Sequence, residues 1–530
     1  MGSAAERLPT WLRVAVVVAL ALGLFFRFDH LGRKTFWEDE IYGTMHALGY
    51  TETQVVASAT GVRTAADLQR FVGIGPEARP IPGLASTIAA LVVEDPQHPP
   101  VYYLAEHLWI DAFGGNAATI RALSALFGAL AIPAFALLAY ELFGSPSAAL
   151  IAAALLALSP FFVLYSQEAR EISLWALAIS LDGWLLLRTL KRPSAWGWTT
   201  YGAATAVTLY IDPIAGLTAL GWLVYAFALE RIRPTRKFLG CAVATLGAIV
   251  LFVPLLRTML TSGALHRGLG GIENSRLSPL TVAAVGLRDL RTIFFDPGAF
   301  RLGRLSSTPI EALVSLVVLA VVAYAFVALV REKPFRLWGF VAIGLCLSLA
   351  PFVLSDLLGH GDYVYQLRYF VPAALGAILA LAALPRSAAR APIVVALLAG
   401  GVLSCGASWR ATTWWNKDFE RSPQVAAIVE AAPHAVVLAN GVESSRALAL
   451  AYYLDPQVPV RATLRCSLCT VPAAPVPDVS VDAASPGTIF VLADRAPARA
   501  GARLRWIDPQ TFPPQPAPLD LFGSIGGVGG

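Results

Sequence analysis

Charged side chains are scarce in this chain. Asp, Glu, Lys and Arg make up 14% of its 530 residues, against 56% hydrophobic, and the mean hydropathy is +0.63. Ordinary soluble proteins carry roughly 25% charge, so a soluble globular fold is excluded and a polytopic α-helical membrane protein is expected. The formal net charge is +5, yet the basic residues form no stripe or patch. They sit in short clusters between apolar runs, where membrane orientation accounts for them, and no nucleic-acid partner is expected. Cysteine is also scarce, with five in all. Cys241, Cys346 and Cys405 fall in or at the ends of apolar runs and read as small core residues. Cys466 and Cys469 form a lone CxxC without the two further ligands that a structural zinc needs, which favours a disulfide in an oxidising outer compartment.

Long apolar runs dominate what remains. Trp11 to Phe28 reads as a first spanning helix; Arg7 and Arg13 stand at its start and no small-residue cleavage site follows, so an uncleaved anchor with a cytoplasmic N-terminus is expected. Further spans are expected over Thr119 to Phe143, Ser147 to Tyr165, Ile172 to Leu190, Trp196 to Tyr210, Pro213 to Leu229, Phe238 to Leu256, Pro309 to Val330, Leu337 to Leu357, Phe370 to Leu384 and Pro392 to Cys405, about eleven transmembrane helices in all. Val101 to Phe113, interrupted by Glu106, His107 and Asp111, reads as a helix lying at the interface. The basic clusters at Lys191-Arg192, Arg231 to Lys237, Arg331 to Arg336 and Arg386 to Arg390 all fall on one face, the inner one. This places a first outer loop at 29–117, a second at 257–308 that is long enough to act as a lid, and a short one around Asp356 and Gly361 to Tyr369.

Beyond Trp409 no run is of membrane length. Helices at Pro423 to Ala432 and Ser444 to Leu454, with strands at Ala435 to Asn440 and Thr488 to Ala493, suggest a small extracytoplasmic α/β domain over 411–530, ending in a flexible Gly-rich tail. Residues 1–410 would then be the transmembrane catalytic domain.

Polar motifs gather on the outer face. Phe36-Trp37-Glu38-Asp39-Glu40-Ile41-Tyr42 sets three consecutive carboxylates just beyond the first span, where charge near hydrocarbon is costly and marks a functional site. Structural readings compete: a solvated juxtamembrane loop for the acidic run, a turn for His98-Pro99-Pro100, a helix cap for Glu168 and Arg170. Taken together, a carboxylate to deprotonate a hydroxyl and arginines to clamp a phosphate suit glycosyl transfer from a lipid phosphate.

These motifs resemble the GT-C superfamily of polyprenyl-phosphate-sugar glycosyltransferases, in the branch of protein O-mannosyltransferases and bacterial aminoarabinose transferases. The resemblance covers roughly the first 420 residues. It rests on Trp37-Glu38-Asp39-Glu40, on His98-Pro99-Pro100 and on Tyr165-Ser166-Gln167-Glu168-Ala169-Arg170; Glu171-Ile172 departs from the Met-Tyr of many relatives. It implies Asp39 as catalytic base with Glu40 as its supporting neighbour, Arg170 and Arg368 as donor-phosphate ligands, and His98, Glu168 and Tyr365 as substrate-binding residues. Glu38 falls at a variable position of the motif. The implied partners are a polyprenyl-phosphate sugar donor, a glycan, lipid or protein acceptor and the surrounding membrane lipid, at the plasma membrane of the cell envelope. Asp212 and Asp356 also reach the outer face, where a divalent metal could join such carboxylates, although no ligand spacing supports one.

Two other classes compete. A transporter of a lipid-linked or small polar substrate would place charges and broken helices near the bilayer midplane; here Glu141, Asp182 and Arg188 are read as lying near inner ends. A scaffold displaying the C-terminal region needs none of the polar motifs.

Overall fold

Each of the expected apolar runs is helical in the computed structural model, which describes residues 9–75, 78, 80–262, 277–300, 309–359, 361, 363–385, 387, 389–413, 420–466, 488–492 and 504–507. Among them, seven helices are long and apolar enough to cross a membrane: Thr10–Phe28, Ala117–Phe143, Ile172–Lys191, Arg236–Thr261, Pro309–Glu332, Phe335–Leu357 and Arg390–Arg410. An eighth candidate is the pair Pro146–Ala157 and Pro160–Ser166, bent by 59°. The other three runs are shorter helices, Ala195–Leu209 and Ala215–Leu229 of 15 residues and Val371–Ala382 of 12. At 1.5 Å per residue, 15 residues rise about 22 Å against roughly 30 Å of hydrocarbon, so these three fall short of a full crossing alone.

The bend at Leu158-Ser159 frees the carbonyls that end the first half of the broken pair. In a membrane such groups need partners inside the protein, and Arg27, buried in the last turn of the first helix, donates to Leu156 O at 3.1 Å and to Ala157 O. Gly23 allows this approach, because a Cβ there would meet Ala157 O at 2.5 Å. One reading from sequence needs correcting. Asp182 lies mid-way along Ile172–Lys191, buried and hydrogen-bonded to Thr208, rather than near the inner end.

The first outer loop folds into helices Glu38–Ala47, Glu52–Ser58, Ala65–Gln69, Leu84–Glu94 and Pro100–Phe113. The last of these buries Tyr102, Tyr103, Glu106 and His107 and exposes Leu108 and Phe113, as a helix lying along an interface does. The second loop is more structured than expected. Its start continues Arg236–Thr261, and Ser278 caps a further helix, Pro279–Thr292, by accepting from Thr281 N–H; residues 263–276, on which the lid expectation rests, lie outside the described residues.

The C-terminal region is a parallel sheet of β1 (Val436–Glu443), β2 (Val460–Arg465), β3 (Ile489–Leu492) and β4 (Leu504–Ile507), in the order β2-β1-β3-β4. Helix Ser444–Tyr453 is the crossover from β1 to β2, which a parallel pair requires. Among the described residues this region shares its core with the first outer loop. Val437, Val442, Leu448 and Leu464 share one apolar cluster with Phe36, Ile41, Met45, Leu68 and Val72 of the first outer loop. The Gln69 amide fixes the contact by donating to Ala451 O and Leu454 O at 2.9 and 2.7 Å. Cys466 is disulfide-bonded, and Cys469 lies outside the described residues.

A candidate active site at one end of the helices

The acidic run becomes the first turn of Glu38–Ala47, where carboxylates complement the positive end of the helix dipole. One helical turn sends its three carboxylates in different directions. Glu40 is fully buried and forms a bidentate pair with Arg121, at 2.8 Å from Nε and 2.6 Å from Nη2, while its Oε1 also accepts from Ala169 N–H at 2.7 Å. Arg121 uses its remaining donors on the carbonyls of Leu31, Lys34 and Thr35. With both oxygens engaged, Glu40 is held in the turn beside Asp39, as a supporting neighbour would be.

Asp39 points the other way, with 41% of its side chain exposed, and accepts from Arg170 Nη1 at 3.0 Å. Arg170 in turn donates through Nη2 to His98 Nε2 at 3.0 Å and lies 3.4 Å from Glu171 through Nε. An arginine can only donate, so His98 accepts at Nε2 and carries its proton at Nδ1, from which it donates to Asp95 at 2.8 Å. Asp39, Arg170 and the Asp95–His98 pair, distant from one another in sequence, thus form one continuous chain.

His98 and Glu171 open onto a cavity of about 430 Å³ that Arg368, Asp212, Gln97 and Tyr369 also line, with apolar walls that include Leu217, Ile249, Phe252 and Met259. Arg368 lies within electrostatic range of Asp39, Arg170 and Glu171. Not every expected residue reaches this cavity. Arg170 does not line it, because its donors are turned to Asp39, His98 and Glu171; Glu168 is buried behind the chain, its carbonyl accepting from Arg170 N–H. Tyr365 is 42% exposed under the guanidinium of Arg288, since the 3-10 turns at Tyr363–Tyr365 and Leu367–Phe370 direct Arg368 and Tyr369, not Tyr365, inward. Tyr369 stacks on Phe352 at 4.7 Å in the cavity wall.

Asp356 is used up by structure, accepting from the backbone N–H groups of Tyr363 and Val364. Among the described residues no group of three His, Cys, Asp or Glu side chains is placed to hold a metal ion. Asp95 and Arg121 were not singled out from sequence, although each left a trace. Asp95 stands three residues before His98, and Arg121 is a charge in the first turns of an otherwise apolar run.

Residues 97–257 match the family of dolichyl-phosphate-mannose-protein mannosyltransferases. That stretch includes His98, Glu168, Arg170 and Asp212 and stops short of Asp39 and Arg368. The structure resembles the crystal structure of ArnT from Cupriavidus metallidurans bound to undecaprenyl phosphate, with a TM-score of 0.51, 14% identity and 85% of each chain covered. This is a GT-C fold. The resemblance read from the motifs is thereby borne out at the level of the fold. An oligosaccharyltransferase from Archaeoglobus fulgidus, tethered to an acceptor peptide, also aligns, at a TM-score of 0.46 and 13% identity; 91% of this chain covers 62% of that longer one. No curated protein matches the chain.

In this GT-C fold the C-terminal region docks directly on the acidic turn. Ser445 donates to Glu38, Ser444 donates to Glu52 at 2.8 Å, and the Tyr453 hydroxyl accepts from Phe36 N–H at 2.5 Å. Burial raises the Glu38 carboxyl to about 7; the Ser445 hydrogen bond pulls it down, and Asp39, Glu420 and Glu443 push it further up. A raised carboxylate pKa means that the folded state holds the proton more tightly, so stability falls as pH rises from about 4.5 to about 7. Glu38→Gln should therefore flatten the decline of melting temperature across that window. Coincident wild-type and mutant profiles would contradict the assignment.

Proposed function

We propose that the protein is an inverting glycosyltransferase that moves a sugar from a polyprenyl-phosphate donor to an acceptor hydroxyl on the outer face of the plasma membrane. The observation that carries this reading is the Asp39–Arg170–His98 chain leading to a cavity whose walls combine Arg368 with apolar side chains. Both the mannosyltransferase family match and the undecaprenyl phosphate of the ArnT structure support it. In this reading the prenyl chain lies along the apolar wall and its phosphate meets Arg368, whose guanidinium can clamp two phosphate oxygens. The acceptor oxygen attacks the anomeric carbon from the side opposite the phosphate while Asp39 takes its proton. The bond from that carbon to the phosphate oxygen breaks, and polyprenyl phosphate leaves with the electron pair. Inversion follows from the single displacement. Glu40, Arg121 and Arg170 fix Asp39 without touching the reacting atoms.

This orientation puts the N-terminus in the cytoplasm and the sheet outside. The test is mass spectrometry of glycolipids and glycoproteins from cells with and without the gene. Accumulated sugar-loaded polyprenyl phosphate, together with a missing glycosylated product, is the expected result; unchanged pools of both would count against it.

The two arginines should separate in their effects. Arg368→Ala is expected to weaken polyprenyl-phosphate binding by about 1.5–3 kcal/mol, the range for a hydrogen bond to a charged group. Arg170→Ala should act on turnover more than on affinity, because Arg170 faces Asp39 and His98. Binding of polyprenyl phosphate to the detergent-solubilised variants decides this, and wild-type affinity in Arg368→Ala would remove the phosphate from that residue.

A further inference from the structure

The turn Tyr210-Ile211-Asp212-Pro213 joins helices Ala195–Leu209 and Ala215–Leu229 and is firmly held. Asp212 N–H donates to Thr208 O at 3.0 Å, Asp212 Oδ1 accepts from Ile214 N–H at 2.8 Å, and Tyr210 O accepts from Val101 N–H at 3.2 Å. The last bond locks the turn against the His98-Pro99 segment. Asp212 is 7% exposed and lines the same cavity as His98, Glu171 and Arg368. Its second oxygen, Oδ2, has no hydrogen-bond partner among the described residues.

A carboxyl oxygen without a protein donor, in a side chain this buried, costs free energy unless water or a ligand supplies one. Burial and then the negative Glu171 push Asp212 up to about 7, and the bond from Ile214 together with Arg368 only partly offsets them. The cost is relieved by a ligand that brings a hydrogen-bond donor. Chemistry narrows the choice. A phosphate is repelled by the two carboxyls and attracted to Arg368, while a prenyl chain matches Leu217, Ile249, Phe252 and Met259 and donates nothing. The group left for Asp212 is the polyol between them.

We propose that Asp212 reads the donor sugar by accepting a hydrogen bond from one of its ring hydroxyls, so that the cavity separates a sugar from the bare lipid phosphate. This rests on the donor reading of the cavity given above. The role is distinct from that of Asp39, which acts on the acceptor.

Asp212→Asn is the informative variant, since its amide oxygen still accepts from Ile214 N–H and the turn is kept. The probes are undecaprenyl phosphate and a panel of undecaprenyl-phosphate sugars comprising neutral hexoses, neutral pentoses and an amino sugar. The wild type is expected to bind at least one neutral member more tightly than the bare lipid. Asp212→Asn should weaken that sugar-loaded lipid by about 10- to 100-fold, the range for a hydrogen bond to a charged acceptor, and leave undecaprenyl phosphate within about twofold. Equal losses for both lipids, no loss for either, or a wild type that favours no neutral sugar over bare lipid would overturn the assignment while leaving the donor site standing. A preference confined to the amino sugar would overturn the hydroxyl in favour of an ammonium. If the wild type bound neither lipid, the donor reading itself would fall.

Discussion

Asp39→Asn is expected to lower turnover by about 10²- to 10⁴-fold, the factor that a positioned general base contributes, with donor binding largely intact. The acceptor hydroxyl is a poor nucleophile until its proton is taken as the bond to the anomeric carbon forms. Asparagine keeps the shape of Asp39 and can still accept from Arg170 Nη1, but it cannot take that proton. Folding should be little affected, because Asp39 is 41% exposed and the buried Arg170 keeps Glu171 and His98 as partners. The competing view makes the acidic turn purely structural. It predicts lower expression or melting temperature and wild-type activity per folded molecule. Transfer measured on purified, folded protein separates the two, and an Asp39→Asn enzyme with normal turnover would sink the mechanism.

How much of this was legible in the sequence follows from what kind of signal each part leaves. Membrane-length runs are written in composition, so the helices of the bundle could be bounded closely; Ala195–Leu209 ends within a residue of the expected Tyr210 because Asp212-Pro213 turns the chain. The motifs around Asp39, His98 and Arg170 carried the site, since charge beside hydrocarbon has few structural reasons to exist. Which oxygen faces substrate was not readable. Adjacent Asp39 and Glu40 have nearly the same chemistry and part only because one helical residue is a rotation of about 100°. Tyr365 and Tyr369 were likewise alike in sequence, and the 3-10 turns chose between them. The sheet was half seen. Strands β2 and β4 were not read from sequence, although Val460 to Arg465 alternates apolar and polar residues, and the sharing of a core with the first outer loop is a long-range fact that no local pattern records.

Arg121→Met should be the most destabilising change at the site, costing about 3–5 kcal/mol, as breaking one side of a buried ion pair does. Arg121 is fully buried, and its donors hold Glu40 and the carbonyls of Leu31, Lys34 and Thr35 at 2.6 to 2.9 Å. Its guanidinium also lies over the ring of Phe36, 5.3 Å from the centroid. Methionine fills the volume and satisfies none of these acceptors, and Arg121→Lys should rescue little, since an ammonium cannot reproduce the planar fork. The loss reaches Asp39, because residues 31–35 and Glu40 together fix the entry of its helix. Pairing Arg121→Met with Glu40→Gln removes the stranded charge and should recover part of the stability, but not the turnover, since the three carbonyls still lack a partner. Thermal unfolding and transfer assays on the single and double variants test this together. An Arg121→Met protein that melts like the wild type would show that the pair does not hold the turn, and the positioning role of Glu40 would go with it.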